Sequence, residues 1–253
     1  MKIEAVALLG ALLLSPLAVQ AQSAAEHVTM GDRDNAAMNA PSALKHYEAA
    51  IAAEPKNYAA LWRAAREAVD LGEAARGEAE RDAHYKNAEL YARRAVEANP
   101  QHAEGHFHLA RSLGRKALSL GARDRVKYAG DVRAHALEAL KYDPNHEGAL
   151  HVMGMWHYNV MSLSGISRMV AKTFLGGQVF NSANWNDAQS FMEKSVAAAP
   201  NRIVHRLDLG KVYAARGNKA KAREQWEAVQ KLQATEFNDR RYKVEAEELL
   251  KKL

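Results

Sequence analysis

Histidine residues are the first candidates for chemistry, because the chain has eleven of them and no cysteine. His102 and His106 are four residues apart on one face of a predicted helix, and His108 follows closely. A zinc site needs at least a third ligand, and no carboxylate stands at the spacing of a metalloprotease motif such as HExxH. We therefore expect packed or solvent-facing histidines rather than a metal site.

Other catalytic groupings are not visible in the sequence. A chain without cysteine cannot use a thiol, and we find no Gly-rich phosphate loop, nucleophile elbow or paired carboxylates at catalytic spacing. The net charge of +5 comes from 35 basic and 30 acidic residues, without the dense basic run typical of nucleic-acid binding. These patterns indicate a protein that is not an enzyme, needs no cofactor and binds no nucleic acid.

A recurring helical unit would position any binding residues. Prolines stand at positions 55, 100, 144 and 200, and each is expected to end an apolar helix. After Pro144, for example, Leu150, Met153 and Gly154 begin a second apolar stripe. The unit resembles the tetratricopeptide repeat, a helix-turn-helix of about 34 residues. We therefore predict an all-α helical-hairpin solenoid over residues 41–253.

The prolines are farther apart than this repeat requires. The first two intervals are longer than the 34-residue unit by about ten residues and the third by about twenty. The additional residues fall between the two helices of each pair, at 72–82, 118–128 and 162–184. Ten residues make about three helical turns, so lengthened helices and inserted loops are both compatible with the sequence.

Stacked helix pairs form a concave groove lined by the first helix of each pair. Counting from the prolines places these residues in the groove: Trp62, Arg66, Phe107, Arg111, His151, Met155, Tyr158 and Lys211. An apolar row beside a cationic row suits a ligand with a hydrocarbon or aromatic part and a carboxylate or phosphate. The alternative is ordinary packing, with the aromatic residues in the core and the cations in surface ion pairs.

The long insertion contains a second candidate surface. A basic amphipathic helix is predicted there, with these residues as a lid or membrane contact: Ile166, Arg168, Met169, Lys172 and Phe174. Its alternative role is to pack against the repeats and close a local gap.

Both ends of the chain differ from the repeats. Residues 1–21 have a charged start, an apolar run and a small-residue end, the pattern of a secretory signal peptide. We expect cleavage after Ala21 and an exported, periplasmic protein, with an uncleaved membrane anchor as the minor alternative. Residues 22–40 are predicted to form a flexible leader, with one short helix inside it as the alternative, and residues 236–253 a helix that caps the last repeat.

A narrower resemblance covers roughly residues 85–232. The run from Gly154 to Gly176, followed by Leu209-Gly210 and Gly217-Asn218, is similar to the regulator of microtubule dynamics family. Eukaryotic members are associated with microtubules and membranes, and their repeat domain has been linked to phospholipids at organelle contacts. The resemblance therefore implies a helical-repeat fold and a binding role.

Two functions follow from these observations. The leading hypothesis is an exported scaffold that holds an anionic or amphipathic peptide or a partner protein in its groove. The alternative is a domain that binds or carries phospholipid, with anionic lipid as its ligand. A purely structural helical module ranks third.

Overall fold

The computed structural model of the chain describes residues 23–165, 169 and 177–253. Within these residues the backbone forms eleven α-helices, one short 3-10 helix and no strand. In chain order these are α1 (Ala24–Ala36), α2 (Ala40–Ala53), α3 (Tyr58–Ala74), α4 (Glu78–Ala98), α5 (Ala103–Ser119), α6 (Ala122–Tyr142), α7 (Glu147–Met161), the 3-10 helix (Gly177–Ser182), α8 (Trp185–Ala198), α9 (Ile203–Ala215), α10 (Lys219–Lys231) and α11 (Asp239–Lys251). The predicted all-α class is confirmed.

The helices pack as successive hairpins: α1 with α2, α3 with α4, α5 with α6, α7 with α8, and α9 with α10. The first helices of neighbouring hairpins, α3, α5 and α7, also contact one another, so the hairpins stack along a common inner face. The predicted hairpin solenoid is therefore confirmed. Among the helices in the described ranges, none is both long and apolar enough to cross a membrane.

The turns after the prolines carry the caps of the following helices. The side chain of Asn57 accepts a hydrogen bond of 2.9 Å from the N–H of Ala60, and His146 accepts one of 3.2 Å from Ala149. Each bond satisfies an amide that would otherwise lack a partner in the first helical turn, and such caps contribute about 1 kcal/mol each. The prolines and the caps together fix where α3 and α7 begin.

Lengthened helices accommodate the additional residues of the first two long repeats. Helices α3 and α5 each have 17 residues, and α4 and α6 each have 21. Only residues 75–77 connect α3 to α4, and residues 120–121 connect α5 to α6. Of the two alternatives that the sequence left open at 72–82 and 118–128, the structure has the longer helices.

Small residues set the distance between the paired helices. Ala88, Ala92 and Ala95 on α4 are fully buried, which lets α3 approach closely. At the last hairpin, a Cβ atom added to Gly210 would lie 2.2 Å from Nε1 of Trp226. Trp226 is 2% exposed and fills the space that this glycine leaves. The alternation of small and large residues therefore determines how tightly each hairpin closes.

Residues 24–36 of the predicted leader form α1, so the alternative of a helix within this segment is the one that the structure has. A capping box between Ser23 and Glu26 starts this helix. The hydroxyl of Tyr47 donates a 2.7 Å hydrogen bond to Asp32, and the ring lies against Gly31. These tertiary contacts stabilise a segment whose own apolar content is low. Residues 1–21, predicted to be a signal peptide, lie outside the described residues.

The C-terminal helix α11 packs against α9 and α10. Tyr242 and Ala246 are buried in the same apolar cluster as Trp226, and Leu249 and Leu250 pack against it. The N-terminal end of α11, however, also reaches across the inner face of the solenoid to α3.

Candidate functional site

An amphipathic cavity of about 200 Å³ lies on the inner face of the solenoid, between α5, α6, α7 and the C-terminal segment. Most of its wall is apolar. The larger apolar side chains that line it are Phe107, Leu118, Val126, Val132, Val152, Met155, Trp156, Val160, Leu163, Phe180 and Val204. Predominantly apolar pockets with a few convergent polar groups are the usual form of small-molecule sites.

Helical spacing places polar and apolar side chains together around this cavity. On α5, Arg111 and Arg115 are four residues apart and therefore share one face, as do His151 and Met155 on α7. Gly148 allows α7 to approach α5, because a Cβ atom there would lie 2.4 Å from the ring of Phe107. The cavity thus depends on a close contact between two neighbouring repeats.

A polar rim borders one side of the cavity. Arg115 lies 2.8 Å from Glu73, and Arg111 lies 2.5 Å from Asp70. Burial alone would raise the pKa of the Glu73 carboxyl, but Arg115 and Arg111 outweigh that effect and hold the pKa below its usual value. Glu73, only 3% exposed, is therefore a carboxylate that its cationic neighbours keep charged.

A second part of the rim lies between α7 and α9. His151 Nε2 is 2.9 Å from Asp208 Oδ2, and the ring of His151 stacks on His205 with 4.8 Å between centroids. Burial lowers the pKa of His151 in spite of the neighbouring Asp208. Arg202 completes this side with ion pairs of 2.6 Å to Glu147 and 2.9 Å to Glu236.

A second, mainly polar cavity of about 300 Å³ adjoins the first. The residues that line both cavities are Arg115, Val204, Asp208 and Tyr242. Tyr242 comes from α11, so the C-terminal helix stands at the junction between an apolar space and a polar one.

The structure brings some of the predicted groove residues together and separates others. Phe107, Arg111, His151 and Met155 all line the apolar cavity, and Lys211 lines the polar one. The remaining three predicted residues, Trp62, Arg66 and Tyr158, line neither cavity.

Those three residues pack elsewhere in the solenoid. Trp62 stacks on His108 with 5.3 Å between ring centroids, and Arg66 lies beside it near α2. Tyr158 packs edge-on against Trp185 at 6.0 Å. The predicted rows therefore do not form one continuous binding surface.

The three predicted cations already have carboxylate partners, so the structure has the ion-paired alternative and not an open cationic row. Arg66 lies 2.7 Å from Glu67, and Arg111 pairs with Asp70 as described above. Lys211 lies 2.8 Å from Asp208. The offsets from the prolines placed the cations, but they could not reveal acids supplied by other turns and helices.

The second predicted surface falls largely beyond the described part of the chain. Ile166, Arg168, Lys172 and Phe174 lie outside the described residues. Met169 is described and is 59% exposed.

The histidines singled out from the sequence have protein partners. His102 is 2.9 Å from the hydroxyl of Tyr58, and His106 Nδ1 is 3.0 Å from His135 Nδ1. His108 lies 3.4 Å from Glu104. Within the described residues, no group of three or more potential ligands could hold a metal ion.

Sequence reasoning missed the C-terminal side of the site. Asn238 and Tyr242 line the apolar cavity although they come from the last helix, which was expected only to cap the final repeat. Arg115 could have been found, since it is one helical turn beyond Arg111. No local pattern indicates that Tyr242 meets Glu73, because the two are 169 residues apart.

Comparison with known proteins identifies relatives of this chain. Regulator of microtubule dynamics protein 1 of Bos taurus is 25% identical over 193 residues, which cover 76% of this chain and 60% of the relative. Regulator of microtubule dynamics protein 3 of Rattus norvegicus is 25% identical over 190 residues, covering 75% of this chain and 40% of the relative. The chain thus spans between two fifths and three fifths of the length of these relatives.

Solved structures support the same fold. A thermophilic tetratricopeptide-repeat protein of Thermus thermophilus aligns with a TM-score of 0.60 at 16% identity, covering 88% of this chain and 98% of that one. At this identity the similarity concerns the fold. The family model described as regulator of microtubule dynamics protein 1-3 matches residues 22–253, nearly the whole chain. The chain therefore belongs to the regulator of microtubule dynamics protein 1-3 family.

Proposed function

We propose that this protein is a non-enzymatic binding protein whose apolar cavity holds the hydrocarbon chain of an anionic amphiphile such as a phospholipid. One observation carries the proposal: an apolar cavity of about 200 Å³ that is bordered on one side by arginines. Transfer of a hydrocarbon chain from water into such a space is favourable by about 0.8 kcal/mol per methylene group.

The charged residues at the cavity support an anionic head group. The guanidinium of Arg125, at the edge of the cavity, donates hydrogen bonds to the carbonyls of Leu118 and Leu120, and no described carboxylate pairs with it. Arg115 and Arg202 keep 29% and 23% of their side chains exposed. Arginine binds phosphate and carboxylate groups through paired hydrogen bonds, so these three residues are the proposed contacts of the head group.

A second candidate is a peptide or partner protein bound on the solenoid surface. The helical-repeat fold favours this function, because such stacks commonly present extended concave binding surfaces. The names of the relatives refer to the regulation of microtubule dynamics. A microtubule-associated partner is therefore part of this candidate, and an anionic or amphipathic segment is the chemistry it would present to the exposed arginines.

The proposed location is outside the cytoplasm. It rests on the signal-peptide pattern of residues 1–21, with an uncleaved anchor as the alternative. Fractionation of cells that express the full chain, with mass measurement of its N-terminus, tests both versions. A protein with intact residues 1–21 in the soluble cytoplasmic fraction would contradict both.

Native mass spectrometry of the purified full chain tests the lipid proposal. We expect a co-purifying amphiphile, and stronger binding to vesicles with phosphatidic acid than to vesicles of phosphatidylcholine alone. A protein that carries no lipid and does not bind anionic vesicles would refute the proposal. Cross-linking in cell extract tests the second candidate, which predicts a partner whose capture is weakened by Arg125→Gln.

A further inference from the structure

Two kinds of contact hold the C-terminal helix. Its buried residue Ala246 lies in the apolar cluster of α9 and α10, and Leu249 and Leu250 pack against that cluster. The ring of Tyr242 also lies in this cluster, whereas its hydroxyl bonds to Glu73 on α3. The helix's contacts with α3 are polar. The C-terminal half of α11 is therefore held by apolar packing, whereas its start is joined to α3 by polar contacts.

Three polar contacts, which we call the clasp, join the start of α11 to α3. Asn238 Nδ2 donates a 3.0 Å hydrogen bond to the carbonyl of Asp70, and Arg241 Nη2 lies 3.0 Å from Glu73 Oε2. The hydroxyl of Tyr242 donates to the same carboxylate oxygen of Glu73. The clasp therefore joins residues about 168 positions apart and closes the inner face of the solenoid.

The clasp can open without leaving a bare buried charge. When Arg241 and Tyr242 leave, Glu73 retains Arg115 at 2.8 Å and Arg111 at 3.4 Å. An unpaired buried carboxylate would make opening very unfavourable, whereas here the remaining cations satisfy it. Arg241 is 50% exposed, so its guanidinium regains water when it leaves.

The segment that forms the clasp is also a wall of both cavities. Glu236, Asn238 and Tyr242 line the apolar cavity, and Arg241, Tyr242 and Glu245 line the polar one. Movement of this segment away from α3 would open both spaces at once and join them where Tyr242 now stands.

We propose that residues 236–245 are a gate that controls access to the cavity, with the clasp as its latch and the packing of Ala246, Leu249 and Leu250 on α9 and α10 as its fixed end. The inference rests on the proposed function, because it assigns the regulation of that same site. A ligand enters when the clasp opens, and the clasp closes over it afterwards.

Cysteine labelling tests the gate without any ligand, because the chain has no cysteine of its own. Ala110→Cys places a thiol on a cavity-lining residue that is fully buried. Ala136→Cys places one at an equally buried position outside the cavity wall, where its labelling reports general unfolding. Each cysteine variant is combined with the clasp variant Arg241→Ala/Tyr242→Phe, which removes the two side-chain contacts that the clasp makes with Glu73.

The matched control is Glu247→Ala/Lys251→Ala, which removes an exposed ion pair on the far part of the same helix. We expect the clasp variant to raise the labelling rate at position 110 by about tenfold or more, consistent with the loss of two hydrogen bonds, and the control to leave it within about twofold. Labelling at position 136 should change by less than about twofold in both. If the clasp variant accelerates labelling equally at positions 110 and 136, or does not accelerate it at position 110, the gate is overturned.

Ligand kinetics separate the gate from the proposed function. With a fluorescent long-chain fatty acid as probe, the clasp variant should bind faster by about tenfold. Absence of binding in both proteins would refute the proposed function alone, since the labelling rates still decide the gate. Unchanged rates of probe binding in a variant with accelerated labelling would overturn the gate as the route of entry.

Discussion

A larger side chain at Gly114, pointing into the apolar cavity, is expected to raise the free energy of unfolding and to weaken ligand binding. Gly114 lies within α5 and lines the cavity. A Cβ atom added there would have Val132 as its nearest neighbour at 3.9 Å, an ordinary van der Waals distance. The backbone therefore accepts a side chain, and Gly114→Leu directs that side chain into the space proposed for the hydrocarbon chain.

The two effects have opposite signs and separate causes. Replacing a glycine inside a helix by a good helix former stabilises by about 1 kcal/mol, because the unfolded chain loses conformational freedom. The leucine side chain would displace about three methylene groups of a ligand, each worth about 0.8 kcal/mol, which corresponds to roughly a fiftyfold loss of affinity. Gly114→Ala should show the gain in stability with a much smaller loss of binding.

Urea denaturation and titration with a fluorescent long-chain fatty acid measure these two quantities on the same preparations. Gly130→Leu is the matched control, because Gly130 lies within α6, does not line the cavity and has no atom within 4 Å of an added Cβ. The Gly130→Leu protein should gain about as much stability as Gly114→Leu and should bind the probe as tightly as the original protein. An intact Gly114→Leu protein that binds the probe as tightly as the Gly130→Leu control would refute the placement of the ligand in this cavity.

Three further predictions concern the solenoid itself. Gly210→Ala should destabilise the protein by about 2–3 kcal/mol in urea denaturation, because the new methyl group would overlap Trp226 at 2.2 Å; Gly77→Ala, which meets no atom within 4 Å, is its control. Burial lowers the pKa of His108 to about 4, so the unfolded chain binds the additional proton as the pH falls from about 6.5 to 4, and up to about 3 kcal/mol of stability is lost over that range. Unfolding measured at pH 7 and pH 5 should show a smaller difference in His108→Gln, and an unchanged difference would contradict this assignment. Asn184→Ala removes the N-cap of α8 and should cost about 1 kcal/mol, whereas a change below about 0.3 kcal/mol would show that the cap is dispensable.

The repeat pattern made much of the fold predictable. A proline such as Pro144 ends one helix through its own backbone chemistry, and the residues beside it in the chain cap the next helix, so both effects are local. The same pattern placed Phe107, Arg111, His151 and Met155 on the inner helices, where they line the cavity.

Other parts of the site depended on contacts that no local pattern contains. The sequence left open whether residues 22–40 contain a helix, because Tyr47 and Arg63 stabilise α1 from other helices through Asp32. The sequence left open whether the cations pair with carboxylates, and only the structure shows that Asp70 reaches Arg111 from the neighbouring repeat. Ion pairs between repeats depend on the lengths of whole helices and the angles between them, and a local sequence pattern does not specify these.

The sequence by itself determined the all-helical hairpin solenoid and the inner helices on which Phe107, Arg111, His151 and Met155 line the cavity. These features arise from proline geometry, helical periodicity and small residues at fixed spacing, all of which act within a few turns. Only the tertiary structure decided that the last helix reaches α3 and that Tyr242 separates an apolar cavity from a polar one. The contact between Tyr242 and Glu73 depends on the accumulated curvature of the stacked hairpins, which brings together two ends that are far apart in the chain.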